Sequence, residues 1–340
     1  MSGRLIYRPW LHHIQDNGSG LKRILFISAT RIGDAVLSTG LCAEISRRHP
    51  DALLTVACGP GPAPLFEAHP NLERLIVMRK AKRAGHWRHL WRQVAATRWY
   101  MVVDMRRSAL AWLLWTRRRA VPPAPRDGEH RLATMARTLN LEHVPEPTVW
   151  LAPEQRARAD ALLGDAPYRL ALAPTANWPA KVWPAHNFAA LVDRLTGSDG
   201  LLRDAEVVVT GGPGEQPQAQ PVLDAVPSTR LVSAVGLDLP TTAAVFQRCD
   251  LFVGNDSGLM HLAAAAGTPT VGLFGPTDDR LYGPRGPHWR IARTPESMAE
   301  LVHKPGFDHR IAGSQMGNLA VDTVMLQVRD LLSGDGADAP

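Results

Sequence analysis

The feature that most limits this chain is a rhythm. Short apolar runs of strand length alternate with stretches whose apolar residues recur at helical spacing, almost from end to end. Such alternation builds parallel sheets, because each crossover must return the chain to the same edge and a helix does this. In the first part, strands are expected in "RILFIS" (23–28), "ALLTVAC" (52–58), "RLIVM" (74–78) and "WYMVVDM" (99–105). Helices are expected from about Ile32, Pro62 and Gly85, and within "EHRLATMARTLN" (129–140). A Pro-rich segment, Val144 to Gln155, then reads as a linker.

A second series follows the linker. Strands are expected in "YRLALAPT", "AEVVVTGG", "TRLVSAV", "LFVGND" and "TVGLFG". Between them lie helices in "HNFAALVDRL", after Gly214, in "TTAAVFQRC" and in "GLMHLAAAAG", with "NLAVDTVMLQVRDLL" closing the chain. A length of 340 residues also favours two domains. The reading is α/β: two sequential doubly wound domains, residues 22–150 and 151–332, with no short-period repeat. The N-terminal arm and the tail "SGDGADAP" fall outside the pattern.

Charge divides unevenly. Residues 1–150 hold 23 lysines and arginines against 11 acids, and the remainder 15 against 21. A basic first half attracts something acidic, although a solvated arginine surface would look the same by composition. The N-terminal arm has no apolar core of signal-peptide length. The nine-residue run "SALAWLLWT" is far short of the ~20 residues that span a bilayer. Cys42, Cys58 and Cys249 have no metal-ligand spacing and suit a reducing, cytoplasmic compartment.

In doubly wound sheets, ligands gather at the carboxyl ends of strands. Four segments fall there. In "FVGNDSGLMHLAAAAG", Asp256 ends a strand while Ser257 and Gly258 open a helix, with His261 one turn in. A hydroxyl beside unpaired N–H groups at a positive helix end makes an anion site. Simple capping by Asp256 or Ser257 would need only one such residue. In "VVVTGGPGEQ", Glu215 follows a glycine turn that lacks the full G-x-G-x-x-G fingerprint; it either caps the turn or bonds ribose hydroxyls. In "APTANWPAKVWP", Thr175 follows a strand, and Lys181 sits in a proline-stiffened loop where it could neutralise phosphate. In "ISATRIGDAVLSTG", Asp34 stands in a first helical turn, where an acid suits the dipole but repels phosphate. Asp104, ending "WYMVVDM", is the rival carboxylate, or else a buried partner for Arg106 or Arg107.

The helix "GHWRHLWRQVAATRW" puts Trp87, Leu90, Trp91 and Val94 on one stripe; packing on the sheet is its expected use, with membrane-surface binding second. D-x-D, P-loop, G-x-S-x-G and H-E-x-x-H patterns do not occur.

Together these segments resemble glycosyltransferase family 9, the ADP-heptose:lipopolysaccharide heptosyltransferases. The resemblance rests on "ILFISATRIGDAVLSTG", on Lys181-Val182-Trp183-Pro184, on Gly211 to Glu215, on Asp256 to His261 and on Phe274 to Thr277, in that order. It implies a GT-B fold, two Rossmann-like doubly wound domains facing across a cleft, acceptor on the first and nucleotide-sugar on the second. It implies inverting sugar transfer with no metal and no cofactor, from a donor such as ADP-heptose to an acidic glycolipid of the lipopolysaccharide core. Asp34 would be the catalytic base; Thr175, Lys181, Glu215, Asp256, Ser257, Gly258 and His261 would line the donor site. The family often carries arginine where Ser28 stands, and threonine where Ser257 keeps the hydroxyl.

That chemistry explains one carboxylate set apart from the phosphates: the attacking hydroxyl needs a proton acceptor, the departing diphosphate needs positive charge, and a diphosphate leaves without an acid to protonate it. The basic half would suit an acidic acceptor at an anionic membrane surface, on the cytoplasmic face of the inner membrane. Competing readings are a sugar-nucleotide epimerase of the same architecture, a non-catalytic nucleic-acid-binding protein and a dinucleotide-dependent oxidoreductase. No nucleic-acid motif supports the second, and neither glycine turn completes the fingerprint of the third.

Overall fold

The computed structural model describes residues 21–303 and 312–333; the N-terminal arm to Gly20 and the tail from Gly334 lie outside the described residues. The chain divides into two compact units between Trp150 and Leu151.

Unit one runs β1 (Arg23–Ile27), α1 (Ile32–Arg48), β2 (Leu53–Cys58), β3 (Leu72–Val77), α2 (Gly85–Val94), β4 (Trp99–Asp104), β5 (Thr116–Ala120) and α3 (Arg131–Arg137). Its five strands are parallel in the order β3-β2-β1-β4-β5, with Ile24 opposite both Leu54 and Met101. A central parallel strand is covered on both faces, so it reads as a continuous apolar run. Leu25, Phe26 and Ile27 of β1 are accordingly fully buried. Val36, Leu37, Leu41 and Ile45 form the buried stripe of α1. On the same helix, Gly40 lies so close to the Pro145 and Glu146 carbonyls that a Cβ would collide with them. Thr39 Oγ1 also accepts a hydrogen bond from Thr148 N at 2.8 Å, so the chain after α3 is held to α1.

Unit two runs α4 (Pro153–Leu162), β6 (Arg169–Ala173), α5 (Ala185–Thr196), β7 (Glu206–Gly211), α6 (Gln216–Ala225), β8 (Leu231–Val235), α7 (Leu239–Phe246), β9 (Leu251–Asn255), α8 (Gly258–Ala265), β10 (Thr270–Phe274), α9 (Asp279–Tyr282), β11 (Trp289–Arg293), α10 (Met298–Val302) and α11 (Val321–Ser333). Its six strands are parallel in the order β11-β10-β9-β6-β7-β8. The core holds Leu170, Leu172, Val207, Val209, Leu251 and Val253 from the sheet, and α11 closes it with Val324, Val328 and Leu331.

Four features depart from the sequence reading. The helix expected from Pro62 is a single 3-10 turn, Ala63–Phe66, which holds Pro64 in its first turn and is kept from continuing by Pro70. The linker expected through Gln155 ends three residues sooner: Pro153, Glu154 and Gln155 already form the first turn of α4, where proline fits without losing a hydrogen bond. Strands β5 ("TRRRA") and β11 ("WRIAR") were not expected, since arginine-rich edge strands lack the apolar run that marks central ones. On α2, Leu90 and Val94 are buried and Trp87 packs beside them, but Trp91 is turned out at 43% exposure, so the stripe is three residues and not four.

Candidate functional site

In unit two the strand order reverses between β6 and β9, so the connections leaving them run in opposite directions, and their carboxyl ends are where such a sheet takes a ligand. The loops after β6, β7, β9 and β10 carry Thr175, Glu215, Asp256 and Thr277 to that edge.

One side chain holds the longest of these loops. Asn255, fully buried at the end of β9, accepts from Trp183 N at 3.0 Å through Oδ1 and donates from Nδ2 to Pro174 O at 2.9 Å. Both ends of the 174–183 loop are thereby tied to a central strand. Trp183 is fully buried against the Phe188 ring, and its indole N–H donates to Leu319 O at 2.9 Å. Between these ties, Lys181 ends a 3-10 turn, Pro179–Lys181. Its Nζ lies 2.6 Å from Asp256 Oδ2 and 3.5 Å from Asp256 O. Thr277 Oγ1 donates to the same Oδ2 at 2.8 Å. Arg293, at the end of β11, fixes the loop that carries Thr277 by donating to Thr277 O at 2.9 Å and Gly275 O at 3.0 Å, and it pairs with Asp279.

Neither residue at the start of α8 caps it through a side chain. Asp256 is taken up by Lys181 and Thr277. Ser257 is the N-cap residue, extended at φ −149° and ψ 173°, yet its hydroxyl makes no cap bond and Oγ is buried without a partner among the described residues. A buried hydroxyl at a helix amino end, next in sequence to the partner of an ammonium, is chemically able to receive an anion. Gly258 is the first residue of α8, and His261, one turn in, is only 4% exposed; it is not a surface histidine.

Glu215 stands at the N-cap of α6. Its Oε2 accepts from Thr175 Oγ1 at 2.6 Å and from Gly212 N at 2.7 Å. The glycine turn is needed here, because Gly214 has φ +85°, which other residues rarely adopt. Glu215 therefore does cap the turn, and in doing so binds β6 to β7, while Oε1 keeps no hydrogen bond among the described residues.

Unit one places Asp34 in the first turn of α1, half-buried, with Oδ1 buried and without a hydrogen-bond partner among the described residues. Asp104 differs. It is fully buried at the end of β4, and accepts from Arg106 N at 3.0 Å and from Ser108 N at 2.8 Å. Burial raises its pKa, with the Ser108 hydroxyl and these N–H groups acting against the rise. Asp104 thus closes a turn through backbone N–H groups; the Arg106 guanidinium lies instead over the Trp87 ring, 4.7 Å from its centroid. Ser28 is buried 2.8 Å from Ser38 Oγ of α1 and faces inward.

Unit two thus gathers Lys181, Asp256, Ser257 and Gly258 at one spot, and Thr175 with Glu215 at the neighbouring strand ends. Asn255, Thr277 and Arg293 were missed. Asn255 and Thr277 lie inside stretches already singled out, but nothing in an asparagine or threonine announces a clamp. Arg293 sits on an edge strand that lacks an apolar signature. Among the described residues no group of three or more His, Cys, Asp or Glu is placed to hold a metal ion, and no helix is long and apolar enough to cross a membrane.

Comparison with known proteins bears on the same residues. The family model for glycosyltransferase family 9 (heptosyltransferase) matches residues 89–308, a span that contains the unit-two motifs and begins beyond Asp34. The chain is 24% identical to lipopolysaccharide heptosyltransferase 3 of Escherichia coli over 287 residues, 74% of this chain and 83% of that protein. It is similar in fold to a glycosyl transferase family 9 protein of Veillonella parvula, with TM-score 0.75 and 23% identity, covering 92% of this chain and 97% of the other. It also matches the E. coli ADP-heptose lipopolysaccharide heptosyltransferase II, with TM-score 0.72 and 19% identity over 93% and 99%. Two doubly wound parallel sheets in sequence are the GT-B type of architecture that the motifs implied.

Proposed function

The chain belongs to glycosyltransferase family 9, and from that premise we propose that it transfers heptose from ADP-heptose to an acidic glycolipid of the lipopolysaccharide core, inverting the anomeric centre without a metal. Family membership decides for a transferase over the epimerase, the nucleic-acid binder and the oxidoreductase.

The observation that carries the donor half is the orphaned Ser257 Oγ at the amino end of α8, beside the Lys181 ammonium. An ammonium has three N–H donors, and its bonds to Asp256 Oδ2 and Asp256 O use two. Asp256 and Thr277 aim the lysine, whose remaining donor, with Ser257 Oγ–H and the free N–H groups of α8, receives the diphosphate. Glu215 offers Oε1 to the ribose hydroxyls, on a carboxylate that Thr175 and Gly212 keep in place. His261 lines the same helix a turn deeper.

Asp34 is the base. The acceptor oxygen forms its bond to the anomeric carbon as the bond to the diphosphate oxygen breaks, and the diphosphate leaves with the electron pair. The acceptor proton passes to the Asp34 carboxylate. A carboxylate serves because the hydroxyl acidifies as its oxygen bonds to an oxocarbenium-like carbon. The charge on the leaving group is met by fixed donors, which cost no reorganisation during the reaction. The excess of arginine and lysine in residues 1–150 supports an acidic acceptor, and with it work at the cytoplasmic face of the inner membrane.

Thermal unfolding against ADP, GDP, UDP, CMP, their sugar conjugates and NAD tests the donor. A ligand at a hundred times its dissociation constant adds about 2.7 kcal/mol. Stabilisation by ADP, and more by ADP-heptose, is expected; a response to another nucleotide alone removes heptose, and a response to NAD alone removes this reading.

A further inference from the structure

Residues 108–120 have two faces. Leu110, Ala111 and Leu114 are buried in the core of unit one. Trp112, Leu113 and Trp115 open to solvent at 69%, 66% and 68% exposure. A single exposed apolar residue is ordinary; two tryptophans and a leucine within four residues mark a surface that meets something.

Cations surround it. The Arg119 guanidinium lies 4.8 Å from the Trp112 ring centroid and that of Arg98 lies 4.6 Å from the Trp115 ring. Arg117 and Arg118 are exposed on the same edge strand, β5. Among the described residues none of these four arginines pairs with a carboxylate. Arg118 and Arg119 also line a cavity of about 410 Å³ with Arg48 and His49, and no acid lines it.

Three occupants have chemistry that could suit the patch. A second copy pairing along the β5 edge would set arginines against arginines, which repel. A single-stranded nucleic acid would stack bases on the tryptophans, but a guanidinium already covers a face of each ring. A bilayer interface needs no free ring face: indoles lie among headgroups with their apolar edges inward, and arginines meet phosphates.

We infer that Trp112, Leu113 and Trp115, with Arg98, Arg117 and Arg118, dock this protein on an anionic bilayer. The inference rests on reading the acceptor as a glycolipid. Trp115 O accepts from Trp99 N at 2.9 Å, so the patch reaches the amino end of β4, whereas Asp34 follows the carboxyl end of neighbouring β1. The two are a strand length apart, about 17 Å. The dock therefore brings enzyme to acceptor without touching the reacting groups.

The test is co-sedimentation with vesicles of phosphatidylcholine alone or mixed equally with phosphatidylglycerol. The wild-type protein is expected to bind the anionic vesicles with a blue-shifted tryptophan emission, and phosphatidylcholine at least about tenfold more weakly. Trp112→Ser with Trp115→Ser should weaken binding by about tenfold or more. Arg117→Gln with Arg118→Gln should weaken it by about 25-fold, near fivefold per charge. Both variants should keep the wild-type melting temperature and stabilisation by ADP, since the altered side chains are exposed. The inference is overturned if wild-type protein stays in solution with both vesicles at low salt, or if the tryptophan variant binds as wild type does. It is also overturned if the tryptophan changes alter oligomeric mass, or oligonucleotide binding, in place of vesicle binding. Absence of any ADP stabilisation in wild-type protein would instead remove the transferase reading and leave the vesicle result standing.

Discussion

Lys181 Nζ and Asp256 Oδ2 lie 2.6 Å apart across 75 residues of sequence, both largely buried at 17% and 7% side-chain exposure. The pair joins the loop after β6 to the end of β9, on the two sides of the point where strand order reverses. Removing one partner leaves the other charged and poorly solvated, so the pair is better read as an aiming device than as a source of stability.

Lys181→Ala should abolish most donor recognition. Hydrogen bonds to charged groups contribute about 1.5–3 kcal/mol, so ADP affinity is expected to fall about ten- to hundredfold, read by calorimetric titration. Unchanged affinity would take the diphosphate away from this lysine.

Asp34→Asn should separate binding from chemistry. ADP-heptose affinity is expected to stay, while turnover falls by roughly two to four orders of magnitude in a transfer assay. Asp104→Asn should do the reverse: its amide cannot accept both sets of N–H groups, so unfolding should come about 1–3 kcal/mol sooner with turnover per folded molecule nearly intact. Should Asp104→Asn be the variant that stops turnover, the base has been misassigned.

Asn255→Ala should loosen the loop it clamps. Leaving Trp183 N–H and Pro174 C=O without partners costs about 1–3 kcal/mol, or about 2–12 °C in the melting temperature of unit two. ADP stabilisation should weaken with it, because Lys181 loses its support.

Acid should loosen unit one. Glu44 is held down to about 2 by hydrogen bonds from Arg47 and Arg48, and Glu129 to about 2 by Arg137 and Thr134, against a usual value of 4.5. The unfolded chain therefore binds more protons, and the stability these groups give above about pH 4.5 is lost as pH falls toward 2. Asp104, whose pKa is raised, runs the other way, giving up stability as pH rises from its usual value of 3.8 through its raised one. Melting temperature followed against pH should show the acid-side fall, with a shallower slope in Glu129→Gln.

Much of the fold was legible because burial writes itself into a sequence. Central strands such as β1 and β9 are covered on both faces and must be apolar along most of their length, and α1 must repeat its apolar residues at helical spacing. The order of those signals was enough for two doubly wound units and for the strand ends where Asp34, Glu215 and Asp256 stand. Edge strands β5 and β11 escaped because solvent covers part of them and arginine is tolerated there. What only tertiary structure decided is which polar atom meets which. Composition left Asp104 open to Arg106; the turn after β4 gave it backbone N–H groups instead. The motif paired Asp256 with a helix start; the fold paired it with Lys181 and Thr277, and left Ser257 Oγ without a partner. The reason is physical. Apolar contacts are non-directional and can be read as a pattern, whereas a hydrogen bond needs atoms about 3 Å apart in a set direction, which only the packed chain supplies.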